Sequence, residues 1–149
     1  MTRWLHPGLA LGLALGLGLS MACAQDPDVV CEDGQCECEG GDCICPASGD
    51  CDIECTADCD LQCAGSGDCA FSCADGCVTE CTSSGNCVMD VGDAAEVRCS
   101  GSGNCDVTCR AGCAVTCTGS GDCDVTCDGE DHPAQACGDK IEACGPCPE

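Results

Sequence analysis

Residues 99–127 read CSGSGNCDVTCRAGCAVTCTGSGDCDVTC, and this stretch decides the fold. Its cysteines follow the pattern C-x3-C-x3-C-x3-C, a five-residue spacer comes next, and the whole unit repeats after 18 residues. A fixed period of this length is typical of repeat architectures, in which one structural unit stacks on the next.

The same period runs from Cys45 to Cys127 and arranges most cysteines in four columns. Two columns contain cysteine throughout: Cys45, Cys63, Cys81, Cys99 and Cys117, and Cys51, Cys69, Cys87, Cys105 and Cys123. The other two are interrupted in the third unit: Cys55, Cys73, Val91, Cys109 and Cys127, and Cys59, Cys77, Ala95 and Cys113.

Within each unit, apolar and polar residues alternate, as in Cys105-Asp106-Val107-Thr108-Cys109. Period-two alternation predicts short strands with cysteine and aliphatic side chains on one face and polar side chains on the other. The segments between the strands are too short for crossover helices, so successive units must stack directly. The sequence therefore predicts an all-β fold, a disulfide-rich two-sheet β-solenoid of about five 18-residue coils, each adding roughly 4.8 Å of height.

The spacers nearly always end in Ser-Gly-Asp or Ser-Gly-Asn, which indicates turns. The tripeptides between the strands of one unit, such as Ala74-Asp75-Gly76 and Arg110-Ala111-Gly112, are also turn-length. We expect the glycines of the spacers and of these tripeptide turns to supply backbone freedom. We expect the column formed by Asp50, Asp68, Asn86, Asn104 and Asp122 to accept hydrogen bonds from the backbone of its own turn. Shared binding of a cation by this column is the alternative.

The interrupted columns suggest how the cysteines pair. Val91 and Ala95 replace two cysteines that flank one turn, as expected if those two positions are bonded to each other in the other coils. We therefore favour turn-flanking disulfides over within-coil bonds such as Cys51–Cys63. The predicted pairs are Cys45–Cys51, Cys55–Cys59, Cys63–Cys69, Cys73–Cys77, Cys81–Cys87, Cys99–Cys105, Cys109–Cys113 and Cys117–Cys123.

The remaining cysteines of the exported chain are even in number and are predicted to close the two ends of the solenoid as caps. They are Cys31, Cys36, Cys38, Cys43, Cys127, Cys137, Cys144 and Cys147.

Composition and charge exclude several classes of protein. The chain has 149 residues, with 25 Cys, 27 acidic and 4 basic side chains, one Trp and one Phe. So few large apolar residues cannot form a conventional core, and the cysteine content is that of a disulfide scaffold. The strong negative charge repels nucleic acid and anionic lipid surfaces. We expect no nucleic-acid partner; weak divalent cation binding stays open, and protein partners are unknown.

The N-terminus predicts export. Arg3 precedes an apolar run over residues 8–20, which is too short to span a bilayer and is typical of a signal peptide. Two processing routes stay open: cleavage after Ala24, which follows the small-x-small rule, or lipidation of Cys23 in a segment that resembles a bacterial lipobox. Either route leaves 24 cysteines from the 25 of the chain, an even number suited to an oxidising compartment.

These features divide the chain into a signal peptide (1–24), a Cys-rich N-terminal cap (25–44), a β-solenoid (45–127) and a C-terminal cap or tail (128–149). The expected location is outside the cytoplasm, either in the bacterial cell envelope as an outer-membrane lipoprotein or in the extracellular space. Membrane contact is expected only through a lipid on Cys23.

Two cysteine patterns suggest chemistry. Cys144-Gly145-Pro146-Cys147 is the CGPC motif of thioredoxins, but the chain ends at Glu149 and leaves no room for the helix that activates the first thiol. Close pairs such as Cys36 and Cys38 have spacings found in metal–thiolate clusters. The sequence favours structural disulfides over both, with no catalytic residue, no metal ligand and no cofactor.

The turns Gly101-Ser102-Gly103-Asn104, followed by Asp106-Val107-Thr108, resemble those of a bacterial envelope domain of unknown function built from short-strand repeats. The resemblance covers about Cys45 to Cys127 and implies no catalytic residue.

The sequence thus predicts an exported, disulfide-stapled structural or surface module without catalytic activity. The alternatives are a cation- or metal-binding protein, which would use the acidic turns or the terminal cysteines, and a thiol–disulfide redox protein acting through CGPC.

Overall fold

The computed structural model describes residues 35–38, 40–45, 47–56, 58–128, 134–138 and 140–148. These residues form strands and turns with no helix. The expected signal peptide, Cys23 and Cys31 lie outside the described residues.

Two sheets form the walls of a β-solenoid, as the repeat predicts. The first sheet, sheet A, contains β1 (Gln35–Cys38), β3 (Cys51–Cys55), β5 (Cys69–Cys73), β7 (Cys87–Val91), β9 (Cys105–Cys109) and β11 (Cys123–Cys127). The second, sheet B, contains β2 (Gly41–Cys45), β4 (Cys59–Cys63), β6 (Val78–Cys81), β8 (Glu96–Cys99), β10 (Cys113–Cys117), β12 (Gln135–Ala136) and β13 (Ile141–Cys144).

Each coil contributes one strand to each sheet, and strands of successive coils pair in parallel with an offset of 18 residues. Cys51 lies beside Cys69 in the first sheet, and Cys63 lies beside Cys81 in the second. The register therefore places equivalent positions of successive repeats side by side in one column. A shift by one residue would turn each buried column outward, so the alternation fixes the register.

The interior contains the residues predicted to face inward. In β3 and β7, buried and exposed residues alternate strictly along the strand. The fully buried side chains between the cysteines include Ile53, Leu61, Met89, Val97 and Val115. Thr79, the polar member of its column, is also fully buried. Its hydroxyl donates a hydrogen bond of 3.4 Å to the Met89 sulfur, so this polar group has a partner inside the core.

Four of the spacer glycines have a different role from the expected one. Gly67, Gly85, Gly103 and Gly121 do not have positive φ angles. A Cβ built on any of them would overlap the carbonyl oxygen of the equivalent glycine in the preceding coil. Close approach of successive coils, rather than backbone freedom, requires glycine here.

Positive φ angles occur at the opposite turn and, among the described spacer glycines, at Gly49 and Gly65, with φ angles of 102° and 150°. Gly76 and Gly112 have φ angles of 75° and 72°, and the equivalent residues Asp58 and Ala94 have φ angles of 52° and 57°. The expectation of backbone freedom thus holds for this turn, where two coils place a non-glycine residue in the same conformation.

The two ends of the solenoid differ. In the segment expected to form the N-terminal cap, β1 and β2 pair in parallel with β3 and β4, so this cap continues the coil pattern. At the other end, β13 pairs antiparallel with β10, and β12 pairs antiparallel with β13. The change of direction ends the repeat in sheet B.

Candidate functional site

Disulfides line both inner corners of the solenoid. We call the five bonds that flank the spacers the spacer ladder: Cys45–Cys51, Cys63–Cys69, Cys81–Cys87, Cys99–Cys105 and Cys117–Cys123. Their Cα atoms lie 5.9 to 6.5 Å apart, within the range for disulfides. Each bond closes a turn and joins the two sheets at every coil.

The second ladder follows the tripeptide turns, and we call it the tripeptide ladder. It contains Cys55–Cys59, Cys73–Cys77 and Cys109–Cys113. The structure thus has the turn-flanking pairs that the spacing favours: Cys51 and Cys63, the partners in the within-coil scheme, are bonded elsewhere.

Val91 and Ala95 occupy the missing position of the tripeptide ladder. Val91 is 0% exposed and Ala95 is 2% exposed, so their side chains fill the space of the absent sulfurs. Val91 lies in register between Cys73 and Cys109 of the neighbouring strands. This coil is closed by apolar contact at one corner and by Cys81–Cys87 at the other.

The cap cysteines are also bonded. Cys38 pairs with Cys43 at the N-terminal end, and Cys36 is disulfide-bonded as well. At the C-terminal end, Cys127–Cys144 joins β11 to β13, and Cys137–Cys147 joins the end of β12 to the tail. The two sulfurs of the CGPC motif therefore belong to two different bonds, which is not the pairing of a resting thioredoxin-type disulfide.

Stacking of the ladders brings sulfurs of neighbouring coils together. Among the described residues, four groups of three cysteine sulfurs lie within 4.8 Å of one another. Each group contains one bonded pair and a third cysteine from an adjacent coil: Cys38, Cys43 and Cys59; Cys55, Cys73 and Cys77; Cys63, Cys69 and Cys87; and Cys99, Cys105 and Cys123. Metal ligation requires thiolates, so in the disulfide form these groups do not offer the charged ligands of a metal–thiolate cluster.

The column of Asp and Asn residues hydrogen-bonds between coils and not within its own turn. The Asp50 carboxylate accepts from the amide of Asp68 at 3.2 Å, and the Asp68 carboxylate accepts from the amide of Asn86 at 2.7 Å. Asn86 and Asn104 continue this pattern to Asp122. The expected local hydrogen bond is therefore wrong: the side chains of Asp50, Asp68, Asn86 and Asn104 each form a rung to the next coil.

A second column of hydrogen bonds between coils, which the sequence reasoning missed, lies at the tripeptide turns. The Asp75 carboxylate accepts from the amide of Asp93 at 2.9 Å, and the Asp93 carboxylate accepts from the amide of Ala111 at 3.0 Å. The available signal was the separation of 18 residues between Asp75 and Asp93. It was weak because no other coil has Asp at this position.

Acidic side chains also line a shallow groove on the outer face of sheet A. Its volume is about 590 Å³, and it lies between the Asp/Asn column and the first outward column of the sheet. The carboxylates and amides along it belong to Asp50, Asp52, Asp68, Asn86, Asn104 and Asp106. Val88 lies near its centre and is 54% exposed. The groove offers oxygen ligands of the kind that hard cations prefer.

The fold and the paired cysteines define the class of protein: a two-sheet β-solenoid cross-linked at both corners. In the described part of the chain, no helix is long and apolar enough to span a membrane. Comparison with protein-family models, with curated proteins and with solved structures finds no match to this chain.

Proposed function

We propose that the chain is an exported, disulfide-stapled structural or surface module of the bacterial envelope, without catalytic activity. One observation carries the proposal: each coil between Cys45 and Cys123 is closed by at least one buried or half-buried disulfide. The cross-links take the place of the large apolar core that the composition cannot supply.

Rigidity along the solenoid axis follows from this arrangement. Each bond closes a short loop and restricts the unfolded chain, at about 2 kcal/mol or more per bond. The rungs from one coil to the next, such as Asp68 to Asn86, add hydrogen bonds in the perpendicular direction. Cross-links around each coil and hydrogen bonds between coils together give a stiff rod, which suits a spacer or surface element.

Such a chain is stable in an oxidising compartment outside the cytoplasm. Disulfides persist outside the cytoplasm, and the expected signal peptide over residues 1–24 would deliver the chain there. Lipidation of Cys23 would anchor the rod at the envelope surface, and cleavage after Ala24 would release it. Both routes belong to the proposal.

Intact-mass spectrometry under non-reducing conditions tests the proposal. The protein is purified from its native envelope in iodoacetamide, so that any free thiol is alkylated. The expected mass is below that of the reduced chain by two hydrogens for each of about twelve bonds, because 24 cysteines pair completely. Alkylated cysteines or bound metal would contradict the scaffold. A diacylglyceryl adduct on Cys23 would identify the anchored form.

Cation binding at the acidic groove is a second candidate. The observation in its favour is that Asp50, Asp52 and Asp68 all line that groove. Calorimetric titration with Ca²⁺ is the test, with Asp52→Asn as the variant and Asp60→Asn, on the outer face of sheet B, as its matched control. Binding that only Asp52→Asn weakens would support the site. Equal weakening by both variants would indicate nonspecific attraction to a polyanion.

A further inference from the structure

We propose that Cys144-Gly145-Pro146-Cys147 is an intramolecular disulfide-exchange site that opens the C-terminal cap when an external reductant acts on the Cys137–Cys147 bond. The inference rests on the disulfide-bonded scaffold proposed above and adds to it a reaction and a partner class, a thiol or phosphine reductant. It concerns one rearrangement in each molecule, and not a turnover reaction.

The first step depends on accessibility. Cys137 and Cys147 are both half-buried, and their bond joins β12, the outermost strand of sheet B, to the tail. The ladder cysteines between Cys45 and Cys113 are buried, with exposures of 5% or less, whereas Cys117 and Cys123 at the end of the spacer ladder are half-buried. Since exchange rates depend on access to the sulfur, a reductant reaches the Cys137–Cys147 bond before it reaches the buried ladder bonds.

Cys147 is the sulfur that departs as a thiolate. The Nε2 of Gln135 lies 3.6 Å from the Cys147 sulfur and donates to it. A donor at this sulfur stabilises negative charge, and better-stabilised thiolates leave faster. A thiolate reductant thus attacks the Cys137 sulfur, forms a mixed disulfide with it and releases Cys147. A phosphine attacks the same sulfur and releases Cys147, and water then hydrolyses the thiophosphonium to the Cys137 thiol and the phosphine oxide.

The second step uses the short separation within the motif. Cys147 is three residues from Cys144, whose sulfur is bonded to Cys127 across 17 residues. Tethering on so short a segment gives the Cys147 thiolate a high effective concentration at Cys144. Attack on the Cys144 sulfur forms the Cys144–Cys147 bond and breaks Cys127–Cys144, and Cys127 departs as the new thiolate. The number of disulfides is unchanged in this step.

The rearrangement has a structural consequence. Cys127 lies at the end of β11, and Cys144 lies at the end of β13. Their bond is the covalent tie between the last strand of sheet A and the antiparallel strand that ends sheet B. Transfer of that bond to Cys147 leaves β13 without a disulfide to sheet A, held by its backbone hydrogen bonds to β10 and by the packing of buried residues such as Cys144. Reduction of the Cys137–Cys147 bond therefore loosens the C-terminal cap.

Limited reduction followed by alkylation and peptide mapping tests the exchange. The folded, oxidised full chain is treated with a phosphine at one equivalent for a series of times, then trapped with N-ethylmaleimide at mildly acidic pH, where thiol–disulfide exchange is slow. The expected product has alkyl groups on Cys137 and Cys127 and a disulfide between Cys144 and Cys147. A product alkylated only on Cys137 and Cys147 would overturn the proposal, and so would initial opening of any ladder bond.

The double variant Cys137→Ser/Cys147→Ser is the matched control. It lacks the bond that starts the exchange and the attacking thiolate, but keeps Cys127–Cys144. Under the same limiting phosphine, alkylation of Cys127 should fall at least tenfold relative to the parent chain. Alkylation of Cys127 at the parental level would show direct reduction of Cys127–Cys144 and contradict the exchange. Absence of disulfides in the untreated parent would instead refute the scaffold itself, so the two failures are distinguishable.

Discussion

Ala94, like Asp58 at the equivalent position, has a backbone conformation that its side chain disfavours. Its φ angle is 57°, and the equivalent residues in the neighbouring coils are Gly76 and Gly112. A left-handed conformation costs an L-residue about 1 kcal/mol, and glycine avoids most of this cost. The solenoid tolerates the strain at Ala94 because the amide of this residue hydrogen-bonds to the carbonyl of Ala111 in the next coil, at 3.0 Å.

We expect Ala94→Gly to stabilise the protein by about 0.5–1 kcal/mol, because relief of the φ strain exceeds the added entropy of the unfolded chain. The midpoint of guanidinium denaturation, followed by circular dichroism with disulfides intact, measures the change. The control is Ala111→Gly in the adjacent coil, where φ is not positive and glycine should destabilise the fold. Equal effects of the two variants would contradict the explanation.

Gly103 shows the opposite constraint at the spacer turn. A Cβ at this position would overlap the carbonyl oxygen of Gly85 in the preceding coil, whereas a Cβ at Gly112 would lie 3.7 Å from the nearest atom, the backbone nitrogen of Ala94. We expect Gly103→Ala to destabilise the fold by about 2 kcal/mol or more, because the backbones of two coils must separate. Gly112→Ala introduces only φ strain and should cost about 1 kcal/mol. A larger loss for Gly112→Ala than for Gly103→Ala in the same denaturation assay would refute this ranking.

At the scale of the element, the sequence predicts the strands and their pairing well because the period of 18 residues acts on every coil at once. Alternation in a segment such as Cys105–Cys109 determines which side chains are buried. The presence of Val91 and Ala95 in place of two cysteines of one coil indicates which cysteines are bonded in the others. The predictions that failed concern atoms of different coils. Neither the overlap at Gly103 nor the rung from Asp68 to Asn86 is visible within one unit, since both depend on how closely two units approach.

The gap in the tripeptide ladder gives an element-scale prediction. Val91 and Ala95 occupy positions that in other coils hold bonded cysteines with Cα separations of 5.9 to 6.5 Å. We expect Val91→Cys/Ala95→Cys to form a further disulfide during oxidative folding, because the flanking coils impose the same turn geometry. The mass difference between the reduced and non-reduced forms should be two hydrogens larger in this variant than in the parent chain, and iodoacetamide in denaturant should add no alkyl group.

The single variant Val91→Cys is the control for that experiment. It supplies one sulfur without its partner and should bind one alkyl group in denaturant. Two alkyl groups on the double variant would show that the turn at Ala94 does not bring its flanking positions to bonding distance. Mapping of the new bond to Cys73 or Cys109 instead would show exchange between stacked coils.

At the scale of the whole molecule, cross-links must offset both a small apolar core and a large negative charge. The sequence has a formal net charge of −23, and carboxylates lie on the outer faces of both sheets, as at Asp52 and Asp60. Self-repulsion of this kind opposes the compact state. The inward columns contribute few large side chains, Phe71 and Met89 among them, so apolar burial alone is insufficient to fold the chain.

We therefore expect complete reduction to unfold the solenoid without any denaturant. Excess phosphine at neutral pH should abolish the strand signal in circular dichroism, and re-oxidation in a glutathione buffer should restore it together with the original mass. The reduced state loses the loop constraints, worth about 2 kcal/mol or more per bond, while its charge is unchanged. A chain that keeps its strand signal with all cysteines alkylated would show that backbone rungs and aliphatic columns suffice. The disulfides would then increase resistance to proteolysis or slow unfolding, rather than raise the equilibrium stability of the fold.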